Sequence, residues 1–475
     1  MTSPKMLSLF RTKPIQATLQ ETTEEKHRLK RSLRARDLTA LGIGCIIGVG
    51  IFVLPGVEAA NHAGPAIILS LILAALAAGC SALSYAELAS VVPVSGSAYT
   101  YGYVAFGEIV AWIIGWDLIL EYMVGAMLVA IGWAGYFTNL GNHLLHPLGL
   151  TIPHALSAPP WGDHPGIINL PAALIIGLIT WLLVRGIKES SQVNLGIVAV
   201  KLSAILLFIA AAAWQINPKH WQPFMPFGFS GVATASAILF MAYAGFDCVS
   251  TTAEEAVNPQ RDMPIGILGS LLVSTILYLA VAAVLTGVIS YTKLNVADPI
   301  AVALDAISMP WVSSLVSLGA TIGITSVLLV LLVGQPRIFF SMSRDGLLPT
   351  SLAAVHPRYR TPYLTTIITG ALTAVGASLL PIHLVAELSA IGTLFAFVIV
   401  SLGVIVLRYT RPDIHRTFKV PFFPFTPALG VILCGYLMVN LPTATWIRFV
   451  VWLAIGLVIY FAYGHRHSKL AQSAS

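Results

Sequence analysis

Apolar runs long enough to cross a lipid bilayer recur along almost the whole 475-residue chain, and they exclude most other architectures. A helix needs about 20 apolar residues to span the hydrocarbon core. Only 10% of the residues are charged, whereas a soluble protein has about a quarter. The sequence therefore predicts an all-α polytopic membrane protein with twelve transmembrane helices. The predicted spans cover residues 38–61, 65–91, 99–138, 167–185, 191–213, 231–256, 264–289, 311–342, 363–380, 384–407, 422–441 and 446–464.

The distribution of lysine and arginine predicts which ends of the spans face the cytoplasm. If the N-terminus is cytoplasmic, the inner segments contain all of these residues except Lys201 within a span and Lys219, Lys293 and Arg448 on the outer side. Basic inner loops are typical of membrane proteins. We therefore expect a multi-pass protein of the cell (plasma or inner) membrane with both termini cytoplasmic. The net charge of +6 then indicates contact with anionic lipid, not with nucleic acid.

Two predicted spans contain glycine where a helix would be weakened. The first reads LGIGCIIGVGIF over residues 41–52, and the sixth has Gly245 at its midpoint. Glycine in a helix interior costs about 1 kcal/mol relative to alanine, and a membrane helix breaks only where its freed backbone groups find partners or line a cavity. The alternative is close helix packing, since Gly44 and Gly48 form a GxxxG pair. The matching interruption five spans later favours two broken helices, a pattern typical of inverted-repeat transporters.

The spacing of the two interruptions predicts how the chain is organised. An odd number of spans in each half inverts the second half relative to the first, so one scaffold can open to either side of the membrane. Residues 19–36 fit either a basic amphipathic helix on the inner leaflet or a disordered tail. The predicted regions are a cytoplasmic tail (1–37), repeat one (38–213), repeat two (231–408), two appended helices (422–464) and a second cytoplasmic tail (465–475).

Ionisable residues within the spans are the candidates for chemistry, because charge inside a bilayer is costly. Lys201 lies too deep in the fifth span to reach either surface easily, and a desolvated ammonium releases its proton more readily. We interpret Lys201 as a proton site, with a static ion pair as the alternative. Asp117 and Glu121 lie one turn apart on the third span, and the deeper Glu121 is the better partner for Lys201. For Asp117 the sequence favours two interpretations equally: a functional carboxylate and a structural hydrogen-bond acceptor.

Other sequence features argue against catalysis and against metal binding. The four cysteines fall within predicted spans without the spacing of metal ligands, so we interpret them as buried thiols. The sequence contains no Ser–His–Asp constellation, HExxH motif or P-loop. We therefore expect a protein that is not an enzyme and that has no metal and no cofactor.

Five segments, in order along the chain, carry a family resemblance. They read GIGCIIGVGIF, VPVSGSAYTYGYVAFGE, GWDLILEY, GFDCVSTTAEEAVNPQRDMPIGI and GQPRIFFSMSRDGLLP. Together they resemble the amino acid–polyamine–organocation (APC) superfamily, and within it the bacterial members of the cationic amino acid transporter family. The resemblance implies a five-plus-five inverted-repeat (LeuT-like) fold with broken helices 1 and 6, two further C-terminal helices, and an L-amino acid bound between the breaks.

The resemblance also implies roles for individual residues. Backbone N–H groups after the first break would hold the substrate carboxylate, and carbonyls at both breaks would receive its ammonium. Lys201 resembles the lysine whose ammonium replaces a sodium ion in proton-coupled members, with hydroxyls beside it. The expected substrate-binding residues are Ile43, Ile46, Gly48, Val49, Gly50, Met241, Ala242, Ala244 and Leu331. The expected proton-coupling residues are Lys201, Glu121, Thr325 and Ser326.

Three positions depart from the family pattern. Val49 stands where relatives often carry a hydroxyl, Met241 where many carry an aromatic lid, and Leu331 offers no polar group to a cationic side chain. The pocket is therefore predicted to be small and apolar, which disfavours an unpaired buried cation. We expect a proton-coupled symporter of small or medium neutral L-amino acids such as alanine.

Two alternatives stay open at this point. One is uptake or exchange of arginine, lysine or ornithine, and the other is an amino acid sensor that does not transport. The expected partners are the amino acid, the proton and membrane lipids. The sequence leaves open whether a small single-span membrane protein also associates with the chain.

Overall fold

The chain is helical throughout the residues that the structure describes. A computed structural model describes residues 11–12, 33–92, 97–161, 165–186, 191–251, 256–359 and 361–472. Within these ranges there are isolated β-bridges, such as Leu33 with Ala256, but no strand. The predicted all-α class is therefore confirmed. The segment 19–36 lies largely outside the described residues, as do most of the 1–37 tail and residues 473–475 of the second tail.

Seventeen helices form the body of the described chain. In order they are α1 Ala35–Ile46, α2 Val49–Phe52, α3 Leu54–Glu58, α4 Ile67–Val91, α5 Ser97–Ala105, α6 Glu108–Leu145, α7 Leu170–Arg185, α8 Ser191–Ala212, α9 Gly228–Tyr243, α10 Phe246–Thr251, α11 Pro259–Val288, α12 Pro299–Ala306, α13 Pro310–Arg344, α14 Tyr363–Leu379, α15 Ile382–Thr410, α16 Phe425–Val439 and α17 Thr443–Ile459. Short 3₁₀ and π turns connect several of them, and two further short helices, His465–His467 and Lys469–Gln472, follow α17.

Seven helical stretches among the described residues are long and apolar enough to cross a bilayer. They are Leu54–Val91, Glu108–Leu145, Leu195–Gln215, Pro259–Val288, Pro310–Arg344, Ile382–Thr410 and Thr443–His467. Four shorter apolar helices, α7, α9, α14 and α16, accompany them. The count is lower than the predicted twelve partly because the first and sixth predicted spans are interrupted. Neither half of an interrupted span reaches the length that a crossing helix needs.

The two longest helices, α6 with 38 residues and α13 with 35, pack along each other. Around this pair, α7 packs against α14, α4 against α9 and α11, and α1 against α11. Small residues allow the backbones to approach, as is usual between membrane helices. A Cβ atom on Gly319 of α13, for example, would lie 2.5 Å from the Cβ atom of Ala204 in α8. Helix α8 is thereby held close to the first turns of α13.

The short helix α12 lies between α11 and α13 in the chain and packs against the end of the first interrupted span. A Cβ atom on Gly56 of α3 would lie 2.4 Å from the Cβ atom of Pro299. Asp298 directly precedes α12. Burial raises the pKa of Asp298 to about 7, with repulsion from Asp305 adding to the rise, while hydrogen bonds from its own backbone and from Asn139 act in the opposite direction. Asp298 is thus a pH-sensitive point of this connection.

The raised pKa of Asp298 predicts how the stability of the protein depends on pH. The unfolded carboxyl ionises near its usual pKa of 3.8, and the folded one near 7. The folded state therefore binds the proton more tightly, and its stability declines as the pH rises through this interval. We expect the thermal midpoint of the wild type in detergent to fall, relative to that of Asp298→Asn, between about pH 5 and about pH 8. Parallel midpoints for the two proteins would contradict the prediction.

Candidate functional site

The first predicted span is interrupted at Ile47 and Gly48, as expected. Helix α1 ends at Ile46, Ile47 is extended at φ −78° and ψ 99°, and α2 begins at Val49. Ile51 N donates to Gly48 O at 3.1 Å, which starts a new turn instead of continuing α1. The break leaves carbonyls of α1 without their usual partners, the N–H groups four residues later.

The sixth predicted span is interrupted at Ala244 and Gly245. Helix α9 ends at Tyr243, and Gly245 has φ 122°, which favours glycine. A Cβ atom on Gly245 would lie only 2.9 Å from the carbonyl carbon of Cys45 in α1. The two breaks therefore touch each other. Asp247 Oδ1 accepts a hydrogen bond from Gly245 N at 2.9 Å, so Asp247 binds the freed backbone at the start of α10.

Lys201 of α8 binds the first break directly. Its side chain is 0% exposed, and Nζ donates to Gly44 O at 2.6 Å, to Ile47 O at 2.9 Å and to Ser326 Oγ at 3.2 Å. An ammonium has three donors, and all three are used here. In a continuous helix the two carbonyls would accept N–H groups four residues later. The ammonium therefore replaces hydrogen bonds that the break removes.

Two expected contacts of Lys201 are not formed. Glu121 Oε1 accepts a hydrogen bond from Thr393 Oγ1 at 2.8 Å, and Glu121 Oε2 has no partner among the described residues. Thr325 Oγ1 donates to Thr321 O at 2.7 Å and accepts from Trp133 Nε1 at 2.9 Å. The expected pairing of Lys201 with Glu121 is therefore wrong for this structure, because the broken helix supplies the acceptors instead.

Asp117 does not act as a structural hydrogen-bond acceptor, which was one of its two interpretations. Its side chain is 0% exposed, and neither carboxyl oxygen has a hydrogen-bond partner among the described residues. The position lies against Gly392 of α15, where a Cβ atom would be 3.0 Å from Asp117 Oδ1. The glycine gives the carboxyl space but no donor side chain.

A cavity of about 70 Å³ lies between the two breaks. A single water needs about 10–15 Å³ on this measure, so the cavity has room for several waters or a small solute. The predicted residues that line it are Ile46, Gly48, Val49, Gly50, Met241, Ala242, Ala244, Leu331 and Glu121. Ile43 is not part of the lining, because it lies a turn deeper in α1 and its carbonyl accepts Ile47 N at 2.9 Å. Lys201, Thr325 and Ser326 are not part of the cavity lining. Lys201 contacts the first break and Ser326 instead.

The prediction of an apolar pocket is correct for one part of the lining and wrong for the other. The apolar wall consists of Val49, Val129, Val327, Val330 and Leu331. The polar end consists of Glu121, Asp247, Ser389 and Thr393. These four residues come from three segments that are distant in the chain, and only their packing brings them to one cavity. Two carboxyl groups on one small cavity favour a cation there.

Tyr278 is a site residue that sequence reasoning missed. Its hydroxyl, on α11, lies 2.8 Å from Ile46 O and 2.7 Å from Ala242 O. One hydroxyl proton can be donated to only one of the two carbonyls at a time. Tyr278 thus bridges the two broken helices at carbonyls that were expected to receive a substrate ammonium. In the sequence it is a single aromatic residue in an apolar run, which indicates only a core position.

Removing the Tyr278 hydroxyl should loosen both breaks. Tyr278→Phe keeps the ring but leaves a buried carbonyl without its donor, which typically costs about 1–3 kcal/mol. We expect a lower thermal midpoint and faster amide hydrogen exchange in residues 44–50 and 242–247. The control is Tyr460→Phe, which removes an equally buried hydroxyl that donates to Glu108 Oε1 at 3.0 Å, away from the breaks. Equal exchange at the breaks in both variants would contradict the bridging role.

Comparison with known proteins identifies the family. Residues 33–462 match the family model described as amino acid permease. The branched-chain amino acid permease BcaP of Bacillus subtilis (strain 168) is 51% identical to this chain, with 98% of this chain and 99% of the relative aligned. The methylthioribose transporter of the same organism is 48% identical over 98% and 100% of the two chains. The vacuolar cationic amino acid transporter 4 of Arabidopsis thaliana is 32% identical over 98% and 97%. The chain therefore belongs to the amino acid permease family of the APC superfamily, and it is an integral membrane transporter and not an enzyme.

Proposed function

We propose that this permease takes up small or medium neutral L-amino acids together with protons, by alternating access. The observation that carries the proposal is the position of Lys201. Its ammonium donates hydrogen bonds to carbonyls at the first helix break, and residues of the same break line the cavity. Lysine can exchange its proton when it is buried, unlike arginine. A protonation change at Lys201 therefore acts directly on a backbone segment that would contact substrate.

The two breaks present complementary charges to an amino acid. The N–H groups of Val49 and Gly50 open α2 and have no acceptor within that helix, so they suit the substrate carboxylate. The C-terminal end of α9, at Met241, Ala242 and Ala244, suits the ammonium. Since Tyr278 can donate to only one of its two carbonyls at a time, the other can accept a substrate N–H without losing a hydrogen bond.

In the proposed mechanism, protonation of Lys201 changes the number of N–H donors that its side chain offers to the first break. The ammonium has three N–H donors for Gly44 O, Ile47 O and Ser326 Oγ. A neutral amine has only two N–H donors, so it keeps all three partners only if the Ser326 hydroxyl turns away from Gly323 O and donates to the amine nitrogen. We propose that the protonated form holds α1 in the substrate-loaded, occluded arrangement. Loss of the proton on the low-proton side would then release α1.

The five-plus-five inverted repeat is part of the same proposal. Helices α4, α6 and α7 of residues 38–213 pack against α11, α13 and α14 of residues 231–408, respectively. Each pair joins elements five predicted spans apart, and the two interrupted spans stand in the same relation. These pairings support two related repeats with α16 and α17 appended. The proposed cytoplasmic position of both termini rests instead on the distribution of lysine and arginine.

The side chain of the substrate is proposed from the cavity wall. The apolar wall suits a short hydrocarbon side chain such as that of alanine, and one relative is named as a branched-chain amino acid permease. The second candidate is a cationic amino acid, which Glu121 and Asp247 at the polar end of the cavity favour. Methylthioribose belongs in the same test because another relative is named for its transport.

Uptake by the purified protein in proteoliposomes tests the proposal. We expect an inward proton gradient, without sodium, to drive accumulation of labelled alanine, and unlabelled neutral amino acids to compete more strongly than arginine, lysine or methylthioribose. Equal or stronger competition by arginine would support the cationic alternative. Dependence on sodium would contradict proton coupling.

The role of Lys201 is tested in the same vesicles. Lys201→Ala cannot exchange a proton, and we expect it to lose gradient-driven accumulation, so that labelled alanine at most equilibrates across the membrane. The control is Lys293→Ala, which removes an exposed lysine from the connection between α11 and α12 and should accumulate alanine like the wild type. Full gradient sensitivity in Lys201→Ala would contradict the mechanism.

A further inference from the structure

We infer that Gly125 of α6 determines the largest substrate side chain that the cavity accepts, and this inference rests on the proposed function. Gly125 lies in the part of the cavity wall that faces Leu331 of α13 and Ser389 of α15. The substrate class that this glycine admits is the branched aliphatic amino acids, in addition to alanine.

Three of the four glycines that line the cavity are required by close contacts. A Cβ atom on Gly48 would lie 2.9 Å from Val327 Cγ2, and one on Gly50 would lie 2.7 Å from the Cβ atom of Ala242. A Cβ atom on Gly245 would lie 2.9 Å from the carbonyl carbon of Cys45. Each distance is shorter than real Cβ contacts allow, so the absent side chains serve the packing of the broken helices.

Gly125 differs from these three glycines. A Cβ atom there would lie 3.7 Å from Leu331 Cδ1 and 3.7 Å from Ser389 Oγ, which are ordinary van der Waals distances. Alanine would therefore fit without moving either neighbour. Alanine would also favour the interior of this 38-residue helix by about 1 kcal/mol. Neither packing nor helix formation requires glycine here. The consequence of the missing methyl group is therefore additional open space in the cavity at this position.

The open space at Gly125 lies where a substrate side chain would point. The charged groups of an amino acid would be held at the two breaks, on the side of the cavity formed by Gly48 to Gly50 and Met241 to Ala244. The side chain then extends across the cavity to α6, α13 and α15. With a volume of about 70 Å³ in the whole cavity, one methyl group on this wall removes a substantial share of the space for a branched chain. It leaves the methyl group of alanine unaffected.

Competition against labelled alanine uptake in proteoliposomes tests the inference, with full-length wild type and Gly125→Ala. Alanine uptake by each protein serves as the reference against which its competitors are compared. The concentrations of unlabelled leucine and isoleucine that halve this uptake should rise at least about tenfold, the usual effect of one carbon in an apolar pocket. We also expect an unchanged or higher thermal midpoint, because alanine favours the helix.

Gly177→Ala is the matched control. Gly177 lies in α7 on an exposed face, and a Cβ atom there would have nothing within 4 Å. This variant gains the same helix preference and should keep the wild-type order of competitors.

The outcomes separate the inference from the proposed function. Unchanged competition by leucine and isoleucine in Gly125→Ala, beside a transporting wild type, overturns the inference alone. A lowered thermal midpoint with equal loss of uptake for every amino acid also overturns it, since Gly125 would then be a packing residue. If the wild type transports no neutral amino acid, the proposed function fails, and the inference fails with it.

Discussion

The ammonium of Lys201 on the carbonyls of Gly44 and Ile47 is the interaction on which the rest of the structure depends. Each unsatisfied backbone group in a bilayer costs several kcal/mol, so α1 can end at Ile46 only if another donor replaces the lost N–H groups. A buried ammonium needs acceptors for three protons, and the break frees two backbone carbonyls for them. The break and the lysine therefore stabilise each other.

The space for this lysine is made by a glycine on the facing helix. A Cβ atom on Gly323 of α13 would lie 2.7 Å from the Cβ atom of Lys201, and Gly319, one turn earlier, allows the same close approach to Ala204. Helix α8 therefore packs closely against α13 over two turns. This packing directs the Lys201 side chain toward α1. On the far side of the break, Tyr278 joins Ile46 to Ala242. The two broken helices are held by side chains from intact helices on both sides.

The sequence allowed prediction of the features that depend on composition along one segment. The length of the apolar runs predicted the membrane class, and the paired glycines predicted both helix breaks. A lone charge in an apolar run identified Lys201 as a candidate functional residue. Features that depend on how a helix is rotated were missed or wrong, such as the Tyr278 bridge, the partner of Glu121 and the direction of Thr325. In a membrane protein apolar residues face both lipid and core, so hydrophobicity does not report that rotation. Leu76 and Leu174, for example, are 58% and 63% exposed, whereas Lys201 is fully buried.

Helix α13 connects the cation site, the break and the cavity within two turns. Ser326 accepts a hydrogen bond from Lys201, Val327 packs over Gly48, and Val330 and Leu331 form the apolar wall. A solute that pushes against Leu331 therefore pushes on the same rigid helix that positions Ser326. Because a packed interior has low compressibility and transmits strain, the proposed size selection at the wall and the proposed proton site at Lys201 are linked through α13.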